Sequence, residues 1–144
     1  MPNLLLVLSI VLLPPIPGAK EINSFLAPLS QYSAGHRGID YLAPVNSGVY
    51  ASSDGVITHA GLIANRWTIS ITNDSIKTTY EPVKPIVSLG SKIKAGELIG
   101  YLQLVGSHCL PKACLHFGVK SDTLYFNPNK FIKRKFPRLL PIYS

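Results

Sequence analysis

The chain has 144 residues and a formal net charge of +7, from 14 Lys and Arg against 7 Asp and Glu. This length suits one domain with a proper hydrophobic core, and the sequence has no sign of a second domain. The positive charge favours anionic partners but indicates no particular reaction mechanism.

Residues 1–19 are predicted to be a signal peptide or an N-terminal anchor. An apolar run from Leu4 to Leu13 is interrupted only by Ser9. It is shorter than the roughly 20 residues of a membrane-spanning helix and typical of the apolar part of an export signal. Pro14 to Ala19 then breaks any helix and offers a cleavage site. No Lys or Arg precedes the run, so cleavage and anchoring both remain open, and a buried N-terminal strand is the competing interpretation.

The segment HRGID at residues 36–40 carries two candidate metal ligands. Side chains in an extended strand alternate between two faces, so His36 and Asp40 are expected to point the same way. A helix would also bring them together, but the neighbouring glycines and Pro44 favour loop and strand.

Short strands separated by turns are predicted from residue 48 to residue 102. Gly48–Ala51 and Val56–Ala60 flank a Ser-Asp-Gly turn and are expected to pair as a hairpin. Arg66–Thr72 alternates between apolar and polar residues, and Ile76–Tyr80 returns after an Asn-Asp-Ser turn. Val87–Leu102 provides two or three more strands. Since no long window has a helical period, the predicted fold class is all-β and mostly antiparallel.

A second chemical motif, CLHFGV at residues 114–119, combines a third candidate ligand with an apolar face. Strand alternation places Cys114 and His116 on one face and the apolar residues of the motif on the other, toward a core. Two imidazoles and one carboxylate are ligand types that bind a catalytic zinc and leave its fourth position to water. The two motifs therefore predict a metal site if they meet in space.

The two cysteines, Cys109 and Cys114, are separated by four residues that include a proline. An even number of cysteines in an exported protein predicts a disulfide, which here would close a tight loop. The alternative is a free thiolate that acts as an extra zinc ligand, and the two alternatives exclude each other. So short a loop gains little chain entropy, so a bridge would serve to hold the strand that carries His116.

The C-terminal residues 133–144 are predicted to form a basic tail, which continues a cluster of Lys and Arg that begins at Lys130. For an exported chain, anionic wall polymers or a membrane surface are better partners for this cluster than nucleic acid. A solvated tail without a partner is the alternative.

Four segments, in order and with similar spacing, resemble the lysostaphin-type zinc peptidases, which cut peptide bonds in bacterial peptidoglycan. They are HRGIDYLAP (36–44), GVYASSDGVITHAG (48–61), VSLGSKIKAGELIG (87–100) and LHFGV (115–119). The resemblance implies a small antiparallel two-sheet sandwich with a duplicated hybrid motif, a domain over residues 20–132, and a groove that binds peptidoglycan peptides. It also implies that His36, Asp40 and His116 bind Zn²⁺.

The chain departs from the family at two positions. The family usually has a His two residues before its last ligand, where this chain has Cys114. It also has a Tyr-x-His pair before a glycine turn, where this chain has Tyr80-Glu81-Pro82 and either Glu81 or Pro82 replaces the His, depending on the alignment. Those two His are thought to orient the attacking water and stabilise the oxyanion. Glu81 is therefore a candidate general base, and His108, beside Cys109, is a second candidate for catalysis. This combination resembles exported actinobacterial members of the family.

Two functions follow from the resemblance. The first is an exported, envelope-associated or extracellular zinc endopeptidase that acts on peptidoglycan cross-links or stem peptides. The second is a catalytically inactive wall-binding or regulatory module that activates or recruits a separate hydrolase. The three ligands favour the first function, and the loss of both assisting His favours the second.

Overall fold

The computed structural model describes residues 10–27 and 35–132. Within these ranges the chain forms eleven strands and one 3₁₀ helix. The all-β prediction is confirmed. The strands are β1 (Lys20–Asn23), β2 (Ile39–Leu42), β3 (Gly48–Tyr50), β4 (Gly55–Ile63), β5 (Arg66–Thr72), β6 (Lys77–Glu81), β7 (Val83–Pro85), β8 (Lys92–Ile93), β9 (Leu98–Leu102), β10 (Cys114–Ser121) and β11 (Leu124–Phe126), and the 3₁₀ helix is Pro128–Lys130. Among these described residues, no helix has the length and apolar character needed to span a membrane.

The strands form two antiparallel sheets, as predicted. The large sheet has eight strands, in the order β1-β2-β10-β6-β5-β4-β8, with β11 paired to β10. The small sheet has the order β3-β9-β7. Fully or almost fully buried residues from both sheets join one hydrophobic core, among them Val49, Val83, Ile99 and Leu102 from the small sheet and Ile39, Ile69, Tyr80 and Phe117 from the large one.

Strand β10 lies near the middle of the large sheet and has two different faces. Leu115, Phe117 and Val119 are completely buried, which confirms the predicted alternation of this strand. His116 lies on the other face, directly opposite Asp40 of β2 on one side and Glu81 of β6 on the other. The burial of the apolar face therefore fixes the direction in which His116 points.

The predicted hairpin between β3 and β4 is wrong. Strand β3 pairs with β9 in the small sheet, whereas β4 pairs with β5 and β8 in the large one. The link between them passes through the interior, because Ser52 is completely buried and its backbone N–H donates to the Tyr80 hydroxyl over 2.9 Å. The Ser52 N–H must keep this hydrogen bond to β6 of the large sheet, so the chain after β3 passes between the two sheets and does not turn back at the surface.

The end of the N-terminal apolar run packs against the domain. Leu12 is completely buried, and its backbone N–H donates to the Phe131 carbonyl over 2.8 Å. The N–H of Leu13 donates to Ser52, and the Pro15 carbonyl accepts from Tyr50. The packed core therefore begins before residue 20. Residues 1–9 and the basic tail 133–144 lie outside the described residues, so cleavage, anchoring and tail binding stay predictions.

Candidate metal centre

The carboxylate of Asp40 is the meeting point of three imidazoles. Asp40 is 1% exposed, and its Oδ1 accepts a hydrogen bond from His116 Nδ1 over 2.9 Å. Nε2 of His36 lies 3.2 Å from Oδ2, and Nδ1 of His108 lies 3.3 Å from Oδ1. One donor atom from each of the four residues lies within 4.8 Å of the others. The structure thus brings together the three predicted zinc ligands and adds His108, predicted as a candidate for catalysis.

Strand pairing positions the carboxylate. Asp40 in β2 is opposite His116 in β10 and opposite Asn23 in β1. The Asn23 amide Nδ2 donates to Asp40 Oδ2 over 2.9 Å. Each carboxylate oxygen therefore has a hydrogen-bond donor from a neighbouring strand, which restricts rotation of the side chain. Sequence reasoning missed Asn23, because the residue lies in no motif and reaches Asp40 only through the pairing of β1 with β2.

The loop that precedes β2 orients His36. Its backbone N–H and carbonyl both pair with Leu26 over 2.9 Å, and its Nδ1 lies 2.8 Å from the Ser24 carbonyl. A carbonyl can only accept, so Nδ1 carries a proton and Nε2 is the ring nitrogen that faces Asp40. That Nε2 is buried and makes no hydrogen bond with any residue that the structure describes. A buried ring nitrogen without a hydrogen-bond partner that faces a carboxylate suits a cation between the two groups.

His108 comes from a loop that is closed by a disulfide. Cys109 and Cys114 are bridged, as predicted, so neither sulfur is free to act as a thiolate ligand. Inside the loop, the Ser107 hydroxyl accepts from the backbone N–H of Cys109 and of Cys114, over 3.0 and 3.1 Å, and donates to the Lys112 carbonyl over 2.8 Å. The bridge and these hydrogen bonds fix the loop beside the site.

Electrostatics keep Asp40 ionised. Burial alone would raise its pKa, but the hydrogen bonds from His116 and Asn23 and the positive charges of His116 and His36 lower the pKa from 3.8 to about 2. A permanent carboxylate among imidazole nitrogens is a donor set that fits Zn²⁺. The residues present therefore fit a zinc ion.

Gly38 is required for the close approach of β2 to β10 at the site. A Cβ atom at this position would collide with the Phe117 carbonyl oxygen and would lie 2.8 Å from His116 Nε2. Real Cβ atoms do not approach neighbours so closely, so a larger residue would displace the imidazole. The glycine between the two candidate ligands thus has a steric role.

Glu81, the predicted general base, lies one strand away from the four donors. It is opposite His116 on β6 and therefore on the same face of the sheet. Its Oε2 lies 3.4 Å from the Thr68 hydroxyl and 3.7 Å from Arg66 Nε. Arg66 was not anticipated from the sequence, since its contact with Glu81 depends on the pairing of β5 with β6. His108 therefore belongs to the group of four donors around Asp40, whereas Glu81 lies outside that group.

Residues 34–128 match the family described as peptidase family M23. The chain belongs to this family. It is 32% identical over 133 residues to Rv2891, an uncharacterized protein of Mycobacterium tuberculosis. This match covers 89% of this chain and 53% of that protein. It is 29% identical over 106 residues to the peptidoglycan DD-endopeptidase ShyC of Vibrio cholerae, with 72% of this chain and 24% of ShyC covered. The chain spans about half of the first of these relatives and about a quarter of the second.

Solved structures with the same fold include Csd3, lysostaphin and a zinc-containing peptidase. Csd3 of Helicobacter pylori superimposes with a TM-score of 0.73 at 24% identity, over 92% of this chain and 37% of Csd3. The catalytic domain of lysostaphin from Staphylococcus simulans gives 0.69 at 22% identity, over 81% of this chain and 93% of that domain. A zinc-containing peptidase from Vibrio cholerae gives 0.66 at 22% identity, over 85% of this chain and 39% of that peptidase. The predicted lysostaphin-type fold of this M23 chain is confirmed.

Proposed function

We propose that the protein is a zinc-dependent peptidase that cleaves peptide bonds in peptidoglycan cross-links or stem peptides. The convergence of His36, Asp40 and His116 in an M23 domain carries this proposal. Two similarities support it: ShyC is named a peptidoglycan DD-endopeptidase, and the similar Vibrio structure is described as a zinc-containing peptidase.

His36 Nε2, Asp40 and His116 Nδ1 would hold the zinc ion. When bound, zinc polarises a scissile carbonyl and lowers the pKa of a coordinated water to about 7. The protein prepares these donors before metal binding, since Ser24 orients His36 and Asn23 orients Asp40 over 2.8 and 2.9 Å. Such outer contacts preserve ligand geometry and increase metal affinity.

Glu81 is the proposed proton-transfer residue. Its Oε2 is engaged by Thr68 and Arg66. Oε1 takes part in neither contact, and the side chain is 20% exposed. Oε2 is therefore held in place, while Oε1 can accept a proton from a group bound at the site. Arg66 and Thr68 keep the carboxylate on the same face as His116.

We place the protein outside the cytoplasm, at the cell envelope or in the extracellular space. The disulfide supports this location, since such bridges persist mainly in oxidising compartments. Peptidoglycan peptides are the proposed substrates there, and the basic C-terminal residues would add attraction to anionic wall polymers or to a membrane surface.

Incubation of the zinc-loaded protein with purified muropeptides, followed by mass spectrometry, tests the proposal. We expect hydrolysis of a defined peptide bond by the wild type and none by His116→Ala, which loses a metal donor. A zinc-loaded wild type that leaves every muropeptide intact would contradict the peptidase function.

An inactive wall-binding module is the second candidate function. It is favoured by the bridged Cys114, which leaves no imidazole two residues before His116. Such a module would bind peptidoglycan and release no product. Co-sedimentation with purified sacculi, combined with the muropeptide assay, separates the two functions.

A further inference from the structure

His108 lies almost as close to the central carboxylate as His36 does. Its Nδ1 lies 3.3 and 3.4 Å from the two oxygens of Asp40, compared with 2.9 Å for His116 and 3.2 Å for His36. Donors about 2.1 Å from one tetrahedral zinc ion are about 3.4 Å apart. A base that only hydrogen-bonded to a water on the ion would lie farther out, by up to a further hydrogen-bond length of about 2.8 Å. The distance of His108 Nδ1 from the Asp40 oxygens matches the spacing between two ligands of one ion.

The ring positions agree with a common centre. The His108 ring centroid is 4.8 Å from that of His116, which is in turn 4.9 Å from that of His36. The three imidazoles thus surround one point next to Asp40. We propose that His108 is a fourth metal donor, which caps the ion that His36, Asp40 and His116 hold. This inference rests on the metal centre of the proposed function.

His108 differs from the other donors in how it is held. His116 belongs to a central strand and is 13% exposed, and His36 is fixed by Ser24. His108 is 34% exposed and belongs to the disulfide-closed loop, in which Ser107 precedes it and Cys109 follows it. The cap is therefore the donor that can leave with the least disturbance of the sheet, and its departure opens a coordination position.

The bridge sets the position of the cap. Cys114 begins β10, two residues before His116, so the disulfide ties Cys109, and with it His108, to the strand that carries a permanent donor. Without the bridge, hydrogen bonds such as those of the Ser107 hydroxyl remain, but no covalent link ties the loop to β10. Reduction should therefore weaken metal binding through the loss of one donor and leave the other three in place.

Zinc affinity and cobalt spectra test the fourth donor. We expect His108→Ala to bind one Zn²⁺ about 10- to 100-fold more weakly than the wild type in competition with a chromophoric chelator. The Co²⁺-substituted wild type should show the intense visible bands of a closed four-coordinate site, which azide leaves unchanged. In His108→Ala, azide should shift these bands. His59→Ala is the matched control, since His59 lies on β4 outside the four donors, and should behave as wild type.

A double-variant comparison tests the bridge. The Cys109→Ser, Cys114→Ser protein should lose affinity toward the value of His108→Ala, and adding His108→Ala to it should have little further effect. His108→Gln provides a second variant if the alanine protein folds poorly. Equal zinc affinities and equal cobalt spectra in wild type and His108→Ala, with metal bound to both, would overturn the fourth donor and leave the three-ligand site intact. A wild type that binds no more zinc than His116→Ala would instead contradict the metal centre itself.

Discussion

His116 and Asp40 are 76 residues apart in the chain, yet the Nδ1 of His116 donates to Oδ1 of Asp40 over 2.9 Å. The two residues are directly opposite each other on β10 and β2. Because a cross-strand pair shares one face of a sheet, this register by itself brings together two ligands of the candidate metal centre. His36 and His108 then approach the same carboxylate from loops.

Removal of His116 should abolish stoichiometric zinc binding. His116→Ala deletes a donor and also leaves the buried Asp40 carboxylate without one of its hydrogen bonds. We expect less than one zinc per chain by elemental analysis and a loss of about 1–3 kcal/mol in the metal-free protein by urea unfolding. His59→Ala should keep its zinc. A full zinc complement in His116→Ala would remove this residue from the centre.

Glu81→Gln should stop muropeptide hydrolysis without loss of zinc. The amide has nearly the shape of the carboxylate but cannot accept a proton in catalysis. Turnover and bound zinc are measured on the same preparation. Glu97→Gln, which changes an exposed glutamate that follows β8, is the control and should be active. Undiminished turnover in Glu81→Gln would exclude the glutamate from proton transfer.

Gly38→Ala should damage both stability and metal binding. The added methyl group would meet the Phe117 carbonyl and the His116 ring, and relief of such overpacking costs about 1–3 kcal/mol. Gly61→Ala is the matched control, because the nearest atom to its new Cβ would be 4.0 Å away. Denaturant unfolding and zinc titration of both variants check this prediction. Equal stability of the two variants would argue against the steric role of Gly38.

Stability should fall at alkaline pH through Tyr80. Burial raises the pKa of its completely buried hydroxyl above 10.0, an effect larger than the opposing effect of its hydrogen bonds with Thr78 and Ser52. As pH rises, the unfolded chain releases this proton before the folded chain does. The contribution of the protonated Tyr80 hydroxyl to folding stability is therefore complete below a pH of about 10, and it is lost as pH rises toward the pKa of the folded state. Urea unfolding at pH values of about 8, 10 and 11 should show this decline in the free energy of unfolding.

Tyr80→Phe separates this contribution from the other tyrosines and lysines. The variant should be less stable by about 1–3 kcal/mol at neutral pH, because the Ser52 N–H loses its partner. It should also decline less steeply above pH of about 10. Identical alkaline slopes in wild type and Tyr80→Phe would show that Tyr80 has no part in the effect.

The N-terminal segment should contribute to folding stability. Leu12→Ala removes a completely buried side chain, and such truncations cost about 2–5 kcal/mol. Val11, the preceding residue, is 63% exposed, so Val11→Ala should change stability little. Urea unfolding of both variants measures the difference. If the two variants are equally stable, Leu12 is not part of the core in solution.

Local patterns predicted much of this fold. β5 has the predicted bounds, because apolar and polar residues alternate along Arg66–Thr72 and an Asn-Asp-Ser turn signal follows it. The burial of Leu115 and Phe117 on β10 also follows from alternation alone. The β3–β4 hairpin was wrong because pairing across a sandwich depends on distant partners, such as Tyr80 for Ser52.

Parts of the site also required the three-dimensional structure. His36, Asp40 and His116 lie in motifs whose spacing indicates ligands. Asn23 has no such motif, and its contact with Asp40 arises from strand pairing. The position of His108 depends on how the bridged loop folds back, which residue types alone do not specify. Leu12 lies in an apolar run whose composition is compatible with an export signal and with a buried strand, so composition does not distinguish the two.

The register of β10 links the folding of the domain to the assembly of the candidate metal site. A shift of this strand by one residue against its neighbours would turn His116 toward the interior and leave Leu115 in water. The same alignment error would spoil the packing and the coordination sphere at once. A misaligned chain would therefore be unstable and would also lack the candidate metal site. Only the correctly aligned fold is both stable and able to bring the ligands together.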